Sequence, residues 1–264
     1  MHTFYLPIGE ATITLQDVEV MYGLPVDGHP VAMPHAMREQ TGLQYLDILQ
    51  RLTGLQPPEE TALVGASRLQ LTTVRQHLEA LHPDITDDTP ELHIHWYTRL
   101  LLLLMFGGVL FPNSSGNLVS LRFLHHLERL NDLPQYNWGV AVLGYLYMQM
   151  CRASMGTQRD VARLLPLLQF IWRPYNDELI AGLPDYCSVN QIMWSSSIPL
   201  MFLDIVEHHA TERVLRQFGR PQLKKQLERA LKLLHPVQKK QLKWRAELKI
   251  SAPKVTSSSR GIGH

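Results

Sequence analysis

Three histidine pairs are the side chains whose type and spacing could do chemistry, and that chemistry would be metal binding. They are His93 with His95, His125 with His126, and His208 with His209. His208 and Glu212 also stand four residues apart, which would place two zinc ligands on one helix face. The sequence has no His-Glu-x-x-His and no Cys-x-x-Cys motif, however. We therefore expect no metal and no other cofactor, and histidines that cap or line helix surfaces.

The two cysteines, Cys151 and Cys187, could each serve as a nucleophile beside a histidine base. Cys151 lies in an apolar stretch that predicts a buried helix, where a thiol is unreactive. The chain has no Gly-x-Ser-x-Gly motif, and Ser195-Ser196-Ser197 is typical of a helix cap. These observations favour a protein that is not an enzyme. A cleft that brought His208 and Cys187 together would reverse that interpretation.

The lysines are confined to one part of the chain. All eight lie between Lys224 and Lys254. A pyridoxal-phosphate enzyme, a P-loop nucleotide-binding protein and a protein kinase each need a lysine inside the folded site. Residues 1–223 can build none of these classes.

Charge divides the chain into an acidic body and a basic carboxyl-terminal segment. Residues 1–219 hold thirteen arginines against twenty-two acidic residues, a net charge of −9, whereas residues 220–254 carry +9. Such asymmetry suggests a polyanionic partner, DNA or RNA, bound without sequence specificity. The alternative is that the basic segment lies on the acidic body and neutralises it.

The candidate nucleic-acid-binding residues are basic side chains from residue 213 onward. They are Arg213, Arg216, Arg220, Lys224, Lys225, Lys239, Lys240, Lys243 and Arg245. On a helix over residues 198–218 and beyond, the first three would form one stripe. Lys239, Lys240, Lys243 and Arg245 also resemble a weak nuclear-import cluster.

Hydrophobic periodicity and turn residues predict a mainly α fold, a single helical domain with a small amino-terminal β-hairpin and a basic helical tail. Strand signals are scarce after residue 31. Predicted helices cover residues 15–22, 45–52, 69–81, 93–110, 119–130, 138–153, 160–172 and 198–218. The twelve-residue apolar stretch at 100–111 is shorter than the roughly 20 residues that cross a membrane, so it predicts a core helix and no membrane partner.

Six aromatic residues in the second half could stack on nucleic-acid bases or pack in the core. They are Tyr136, Trp138, Tyr145, Tyr147, Trp172 and Tyr175. Trp138 and Tyr145 stand seven residues apart on one predicted helix face, which is ordinary for core packing. Core packing is therefore the favoured interpretation.

Several short motifs follow one another along residues 3–222. They are Thr3-Phe4-Tyr5-Leu6-Pro7-Ile8-Gly9-Glu10, Gly23-Leu24-Pro25-Val26-Asp27-Gly28, Gly107-Gly108-Val109-Leu110-Phe111-Pro112, Tyr136-Asn137-Trp138-Gly139, the helix ending at Cys151-Arg152, Trp172-Arg173-Pro174-Tyr175, Leu183-Pro184-Asp185-Tyr186-Cys187, and Ile205-Val206-Glu207-His208-His209. In this order they resemble the plant mobile domain, the family of maintenance-of-meristems-like proteins that is also labelled aminotransferase-like.

The resemblance implies a non-enzymatic interaction module in the nucleus. It links the chain to transposable elements, transcriptional regulation, gene silencing and meristem maintenance. It also implies nuclear protein partners, among them a plant phosphatase of the phosphoprotein-phosphatase family, and it brings no catalytic residues. The aminotransferase label needs a Schiff-base lysine, which the matching part of the chain lacks.

The chain departs from the family pattern in three places. It begins at the first motif, a segment is missing near residues 169–172, and the family's continuation is lost after Gln222. We therefore expect a truncated plant mobile domain-like unit over residues 1–222, a basic amphipathic helical segment over 223–250 and a disordered tail over 251–264. A non-functional truncated copy is a further alternative.

Overall fold

The computed structural model describes residues 3–6, 9–57, 63–65, 67–113, 115–155, 181–182 and 191–218. Helices make up most of this part, which confirms the mainly α class at that level. The α-helices are α1 Leu15–Tyr22, α2 Gly42–Thr53, α3 Leu71–Leu81, α4 Glu91–Met105, α5 Leu124–Leu127, α6 Trp138–Ser154 and α7 Gln191–Trp194. The strands are β1 Phe4–Leu6, β2 Gly9–Ala11, β3 Val31–Ala32, β4 Arg68–Gln70, β5 Leu118–Ser120, β6 Ile198–Leu203 and β7 Ile205–His209. The predictions for residues 160–172, Trp172, Tyr175, Cys187 and residues 219–264 lie outside the described residues.

The amino-terminal hairpin and the first helix agree with prediction. β1 and β2 pair antiparallel, with Phe4 opposite Ala11. α1 begins with the expected capping box, because the backbone N–H of Thr14 donates to the Asp17 carboxylate (2.7 Å) and the backbone N–H of Asp17 donates to Thr14 Oγ1 (3.5 Å). α1 ends at Gly23, whose φ of 64° is a left-handed conformation that glycine adopts without strain.

α6 is a central helix of the described fold, because every residue from Trp138 to Gln149 is buried. α1, β6 and β7 pack against it. The Tyr147 hydroxyl donates to the Ile13 carbonyl at 2.8 Å, which ties α6 to the chain just before α1. The burial of Trp138, Tyr145 and Tyr147 confirms that these rings pack in the core.

α4 continues into a π-helical turn, Phe106–Leu110, so the apolar stretch lies in one helix from Glu91 to Leu110. Within the described ranges it is the one helix whose length and composition would suffice to cross a membrane. One of its faces packs against α2 and α3, as in a core helix. Its other face is apolar and exposed, at Ile94, Leu101, Met105 and Val109. The prediction of a buried helix is therefore wrong for the outer face.

The helix predicted over residues 198–218 is wrong. β6 and β7 form an antiparallel hairpin there, with Phe202 opposite Ile205. β6 also pairs in parallel with β3, which lies far away in the sequence. After the hairpin the chain makes two short 3₁₀ segments, Thr211–Arg213 and Leu215–Phe218. The tertiary pairing with β3 and the packing on α6 override the helical periodicity.

Two local signals at this position were misread. Pro199, the second residue of β6, cannot continue a helical hydrogen-bond pattern, but it is tolerated near the start of a strand. Ser197 caps no helix. Its hydroxyl lies 3.0 Å from the His209 carbonyl and 2.7 Å from the Glu212 carboxylate, and so holds the two ends of the hairpin together.

β4 and β5 form a second unpredicted sheet, with Leu69 opposite Val119. The helix predicted over residues 69–81 therefore begins only at Leu71. The one predicted over 119–130 starts as strand β5 and becomes α-helical only in α5. With four strands after residue 32, the expectation that strands are scarce beyond residue 31 is wrong.

Candidate functional site

A cleft of about 530 Å³ opens between the β4–β5 sheet, α6 and the β6–β7 turn. Four aromatic rings, from Phe111, Phe123, Tyr145 and Phe202, form its floor. The ring centre of Phe111 lies 4.8 Å from that of Phe123 and 4.8 Å from that of Phe202, so the floor is a stacked and rigid surface.

Three arginines from separate elements line this cleft, which we call the arginine cleft. Arg68 lies on β4, Arg122 lies in the 3₁₀ turn Leu121–Phe123 after β5, and Arg152 lies in the last turn of α6. Asp204 is the one carboxylate in the described lining, and both its oxygens lie 3.5 Å from Nη1 of Arg122. Arg68 is exposed and makes no ion pair with a described residue. The described lining therefore holds three arginines and one carboxylate, on a body whose sequence is acidic as a whole.

Tyr145 and Gln149 form the inner wall of the arginine cleft. The Tyr145 hydroxyl donates to the Pro112 carbonyl, and burial raises the pKa of Tyr145 to about 12. This phenol stays protonated at neutral pH and is no general base. Gln149 is 4% exposed, and its Oε1 accepts no hydrogen bond within the described part of the chain. An unsatisfied buried acceptor of this kind costs about 1–3 kcal/mol.

The two-residue turn between β6 and β7 places Asp204 at the edge of the arginine cleft. Its first residue, Leu203, has a φ of 53°, a left-handed conformation that side chains with a Cβ adopt only at some cost. The Leu203 carbonyl accepts the backbone N–H of Met33 at 2.9 Å, and this pairing with the end of β3 holds the turn in place. Asp204 is therefore positioned by contacts that the local sequence does not contain.

The histidine pairs do not assemble a metal site: the described residues contain no group of three potential ligands. His93 stacks on Trp96 with ring centres 5.2 Å apart, and His95 lies 3.7 Å from Glu91, so both line the surface of α4 as expected. His208 and Glu212 share no helix face, since His208 lies on β7 and Glu212 in a 3₁₀ segment.

Two of the predicted surface histidines are instead buried. His126 is 3% exposed in α5 and His209 is 0% exposed on β7. Burial is the main cause that lowers the pKa of each to about 4. Both rings are therefore neutral at physiological pH.

Acid is expected to destabilise the fold through these two histidines. Between pH 6.5 and 4 the unfolded chain protonates both rings while the folded chain does not. The free energy of unfolding should therefore fall as pH drops through that window, by about 3 kcal/mol per histidine. Glu19 acts with the opposite sign, because burial raises its pKa from 4.5 to about 6 and its contribution is lost as pH rises through 6. Urea unfolding at pH 7, 5.5 and 4 measures the balance.

The contribution of one buried histidine can be isolated with His209→Phe. This variant keeps a buried ring but cannot be protonated, so its unfolding free energy should depend less steeply on pH below 6.5. His35→Gln removes an exposed histidine and serves as the control. If the unfolding free energy of His209→Phe depends on pH as steeply as that of the unmodified chain, His209 is not a buried neutral histidine.

Arg213 and Arg216, the two described members of the predicted stripe of arginines, do not lie on one helix. Arg213 lies in the segment Thr211–Arg213, and its guanidinium is 2.7 Å from the Glu10 carboxylate. Arg216 lies in the next 3₁₀ segment. The remaining candidates, Arg220, Lys224, Lys225, Lys239, Lys240, Lys243 and Arg245, lie beyond the part of the chain that the structure describes.

A second cavity of about 220 Å³ lies beside Arg213 and is lined also by Tyr147, Glu207 and His208. Burial holds the pKa of Tyr147 well above its usual range, and its hydroxyl is already engaged with Ile13. Titratable groups therefore do meet at this cavity, but its described lining includes no cysteine or serine nucleophile.

Sequence reasoning missed the arginine cleft, although several motifs meet there. Phe111 belongs to the central motif, Arg152 is the last residue of the motif in α6, and Ile205 opens the last motif. Arg68 and Arg122 belong to no motif, and no spacing pattern marked them. The family resemblance assigned no site residues to these motifs, so they did not point to the cleft.

The family model described as plant mobile domain matches residues 1–170 and 169–249, which confirms the predicted resemblance. Three curated proteins of Arabidopsis thaliana are similar to this chain. Serine/threonine-protein phosphatase 7 long form homolog is 28% identical over 284 residues, covering 83% of this chain and 20% of the relative. Protein MAIN-LIKE 1 is 26% identical over 273 residues, covering 84% and 52%. Protein MAINTENANCE OF MERISTEMS is 30% identical over 168 residues, covering 64% and 33%.

The chain thus spans between 20% and 52% of the length of these three relatives. The two segments matched by the family model meet at residues 169–170, and the second continues past Gln222 to residue 249. No solved structure is significantly similar to the chain.

Proposed function

Because this chain belongs to the plant mobile domain family, we propose that it is a non-enzymatic interaction module that acts in the nucleus through protein partners. The proposed module is related to transposable elements and acts in transcriptional regulation and gene silencing. The developmental process that it serves is meristem maintenance. The names of the relatives MAINTENANCE OF MERISTEMS and MAIN-LIKE 1 support the last of these.

The single observation that supports a binding role is the arginine cleft. Segments from several family motifs line it, and its described lining contains no histidine, no cysteine and only the carboxylate of Asp204. Such a surface offers cationic groups and flat apolar rings, which suit recognition, and no described histidine stands beside its serines, Ser67 and Ser120, to serve as their base.

A phosphatase of the phosphoprotein-phosphatase family is proposed among the partners. The relative that covers 83% of this chain carries a phosphatase name, but only 20% of that relative corresponds to this chain. The matching fifth of that relative can therefore be its interaction module, while the rest of the relative carries its other functions.

Affinity purification from plant nuclear extract tests this proposal. The immobilised full chain should enrich chromatin proteins or a phosphatase, identified by mass spectrometry. The control is Gly107→Leu, which disrupts the packing of the π-helical turn Phe106–Leu110 on β5. Recovery of neither class of partner, or turnover of p-nitrophenyl phosphate by the purified chain, would contradict the proposal.

Direct nucleic-acid binding by the basic segment is the second candidate, supported by the net charge of +9 over residues 220–254. If each cation neutralises a phosphate, affinity for a 20-base-pair DNA should fall at least about 100-fold between about 50 and 200 mM salt. Deleting residues 220–264 should abolish it. Affinity that survives the deletion would eliminate this candidate.

A further inference from the structure

We propose that the arginine cleft binds a phosphorylated segment of a partner protein, with the phosphoryl group held by Arg68, Arg122 and Arg152. This inference rests on the proposed interaction function and names the chemistry of the partner. The basic carboxyl-terminal segment plays no part in it.

Three arginines from separate elements reach the same cleft. Arg68, Arg122 and Arg152 come from β4, the turn after β5 and the end of α6, and fold into one lining. A guanidinium presents a planar fork of donors that matches the oxygens of a phosphate, and a phosphoryl group on a side chain carries a charge near −2 at neutral pH. Asp204 is the one carboxylate among the described lining residues and Arg68 makes no ion pair with a described residue, so Arg68 is available to bind a phosphoryl oxygen.

The size and lining of the cleft suit a peptide rather than free phosphate. Its volume of about 530 Å³ is larger than one phosphate needs and lies in the range of sites that enclose a ligand of drug-like size. The rings of Phe111, Phe123 and Phe202 offer an apolar surface on which side chains of a bound peptide can pack.

The charge of the surrounding body favours a phosphorylated peptide over a nucleic acid. A nucleic acid carries a phosphate at every nucleotide and would extend beyond the cleft over a body whose net charge is −9 for residues 1–219. A peptide with a single phosphoryl group places its charge only where the three arginines are. Charge therefore favours the phosphopeptide.

Fluorescence anisotropy with a degenerate phosphoserine peptide library, and with the same library unphosphorylated, tests the inference on the full chain. We expect binding of the phosphorylated library only. Arg68→Gln should weaken it about tenfold or more, the usual value of one charge-assisted hydrogen bond. Arg68 is exposed and unpaired among the described residues, so its replacement should not disturb folding. Arg75→Gln, which removes an exposed arginine on α3 outside the cleft lining, is the matched control.

A variant that binds the phosphopeptide more tightly gives a further test, because misfolding would weaken binding and not strengthen it. Asp204→Asn removes the described carboxylate of the lining and frees Arg122 from its ion pair, so phosphopeptide affinity should rise about fivefold. Equal binding of the two libraries, equal affinities of Arg68→Gln and Arg75→Gln, or displacement by single-stranded DNA as efficient as by phosphopeptide would each overturn the inference.

Dephosphorylating the nuclear extract before purification separates this inference from the proposed function. If the cleft reads phosphoryl groups, the partners captured from untreated extract are lost from the treated extract. If the same partners are captured from both, the inference fails while the interaction function stands. If neither extract yields a chromatin protein or a phosphatase, the proposed function itself fails.

Discussion

Replacing Arg99 with methionine is expected to lower the free energy of unfolding by about 3–5 kcal/mol. Arg99 lies in the middle of α4 and is 8% exposed. Its guanidinium donates to the carbonyls of Leu52 (3.2 Å), Leu127 (2.8 Å) and Glu128 (3.0 Å). These carbonyls lie at the carboxyl-terminal ends of α2 and α5, where helices leave acceptors unpaired and where a cation is favoured by the helix dipole.

The methionine side chain fills much of the same space but donates no hydrogen bond, so three acceptors at two helix ends would lose their partner. Arg51→Met is the matched control. Arg51 contacts Glu128 at 2.9 Å, but the two side chains are 58% and 42% exposed, and such a pair contributes less than about 1 kcal/mol. Urea unfolding followed by tryptophan fluorescence measures both variants. A loss no larger for Arg99→Met than for Arg51→Met would show that Arg99 does not hold the two helix ends.

The second large effect is expected from adding a single methyl group at Gly107. A Cβ there would lie 2.7 Å from Val119 Cβ, 2.9 Å from Leu71 Cδ2 and 3.0 Å from the Leu118 carbonyl oxygen. Real Cβ atoms do not approach so closely, so the π-helical turn must move away from the β4–β5 sheet. Overpacking of this kind costs about 1–3 kcal/mol. Because the turn leads directly to Phe111 in the floor of the arginine cleft, Gly107→Ala should also weaken phosphopeptide binding.

The neighbouring glycine supplies the control for that variant. A Cβ at Gly108 meets nothing within 4 Å. Gly108→Ala should therefore leave stability unchanged or raise it by up to about 1 kcal/mol, because alanine loses less backbone entropy than glycine in a helix. Thermal unfolding of the two single variants, side by side, gives the comparison. Similar melting temperatures for both would contradict the close packing at Gly107.

Elements governed by neighbouring residues could be predicted from the sequence. α1 was placed correctly because Thr14, Asp17 and Gly23 specify its two ends through local hydrogen bonds and one left-handed residue. α6 was placed within one residue of its carboxyl-terminal end, because its apolar residues are continuous and Gly156 follows soon after. The amino-terminal hairpin likewise depends on residues that lie close together in the chain.

Elements that depend on partners far away in the sequence could not be predicted from the sequence. β6 pairs along its length with the adjacent β7, and it is also held by β3, more than 160 residues earlier, and by the burial of Leu200 against α6. The periodicity of residues 198–218 suits a helix, and only Pro199 argues against one. The sheet of β4 and β5 was missed for the same reason, since Leu69 finds its partner Val119 only in the folded chain.

The arginine cleft illustrates the same limit for a site. Arg68, Arg122 and Arg152 are far apart in sequence and follow no spacing rule, so composition drew attention to the lysine-rich segment instead. The folded body brings these scattered cations together around Asp204 and four packed aromatic rings. The net charge of a long segment does not reveal a local cluster of arginines, because residues 1–219 are acidic as a whole.

The measurement that tests the central claim most directly is capture from plant nuclear extract by three immobilised full-length chains: the unmodified protein, Arg68→Gln and Arg75→Gln. Both substitutions remove one exposed arginine, but only Arg68 lines the cleft. If the arginine cleft is the binding surface, the unmodified chain and Arg75→Gln retain the same chromatin or phosphatase partners and Arg68→Gln loses them. Identical partner sets for all three chains would contradict the account.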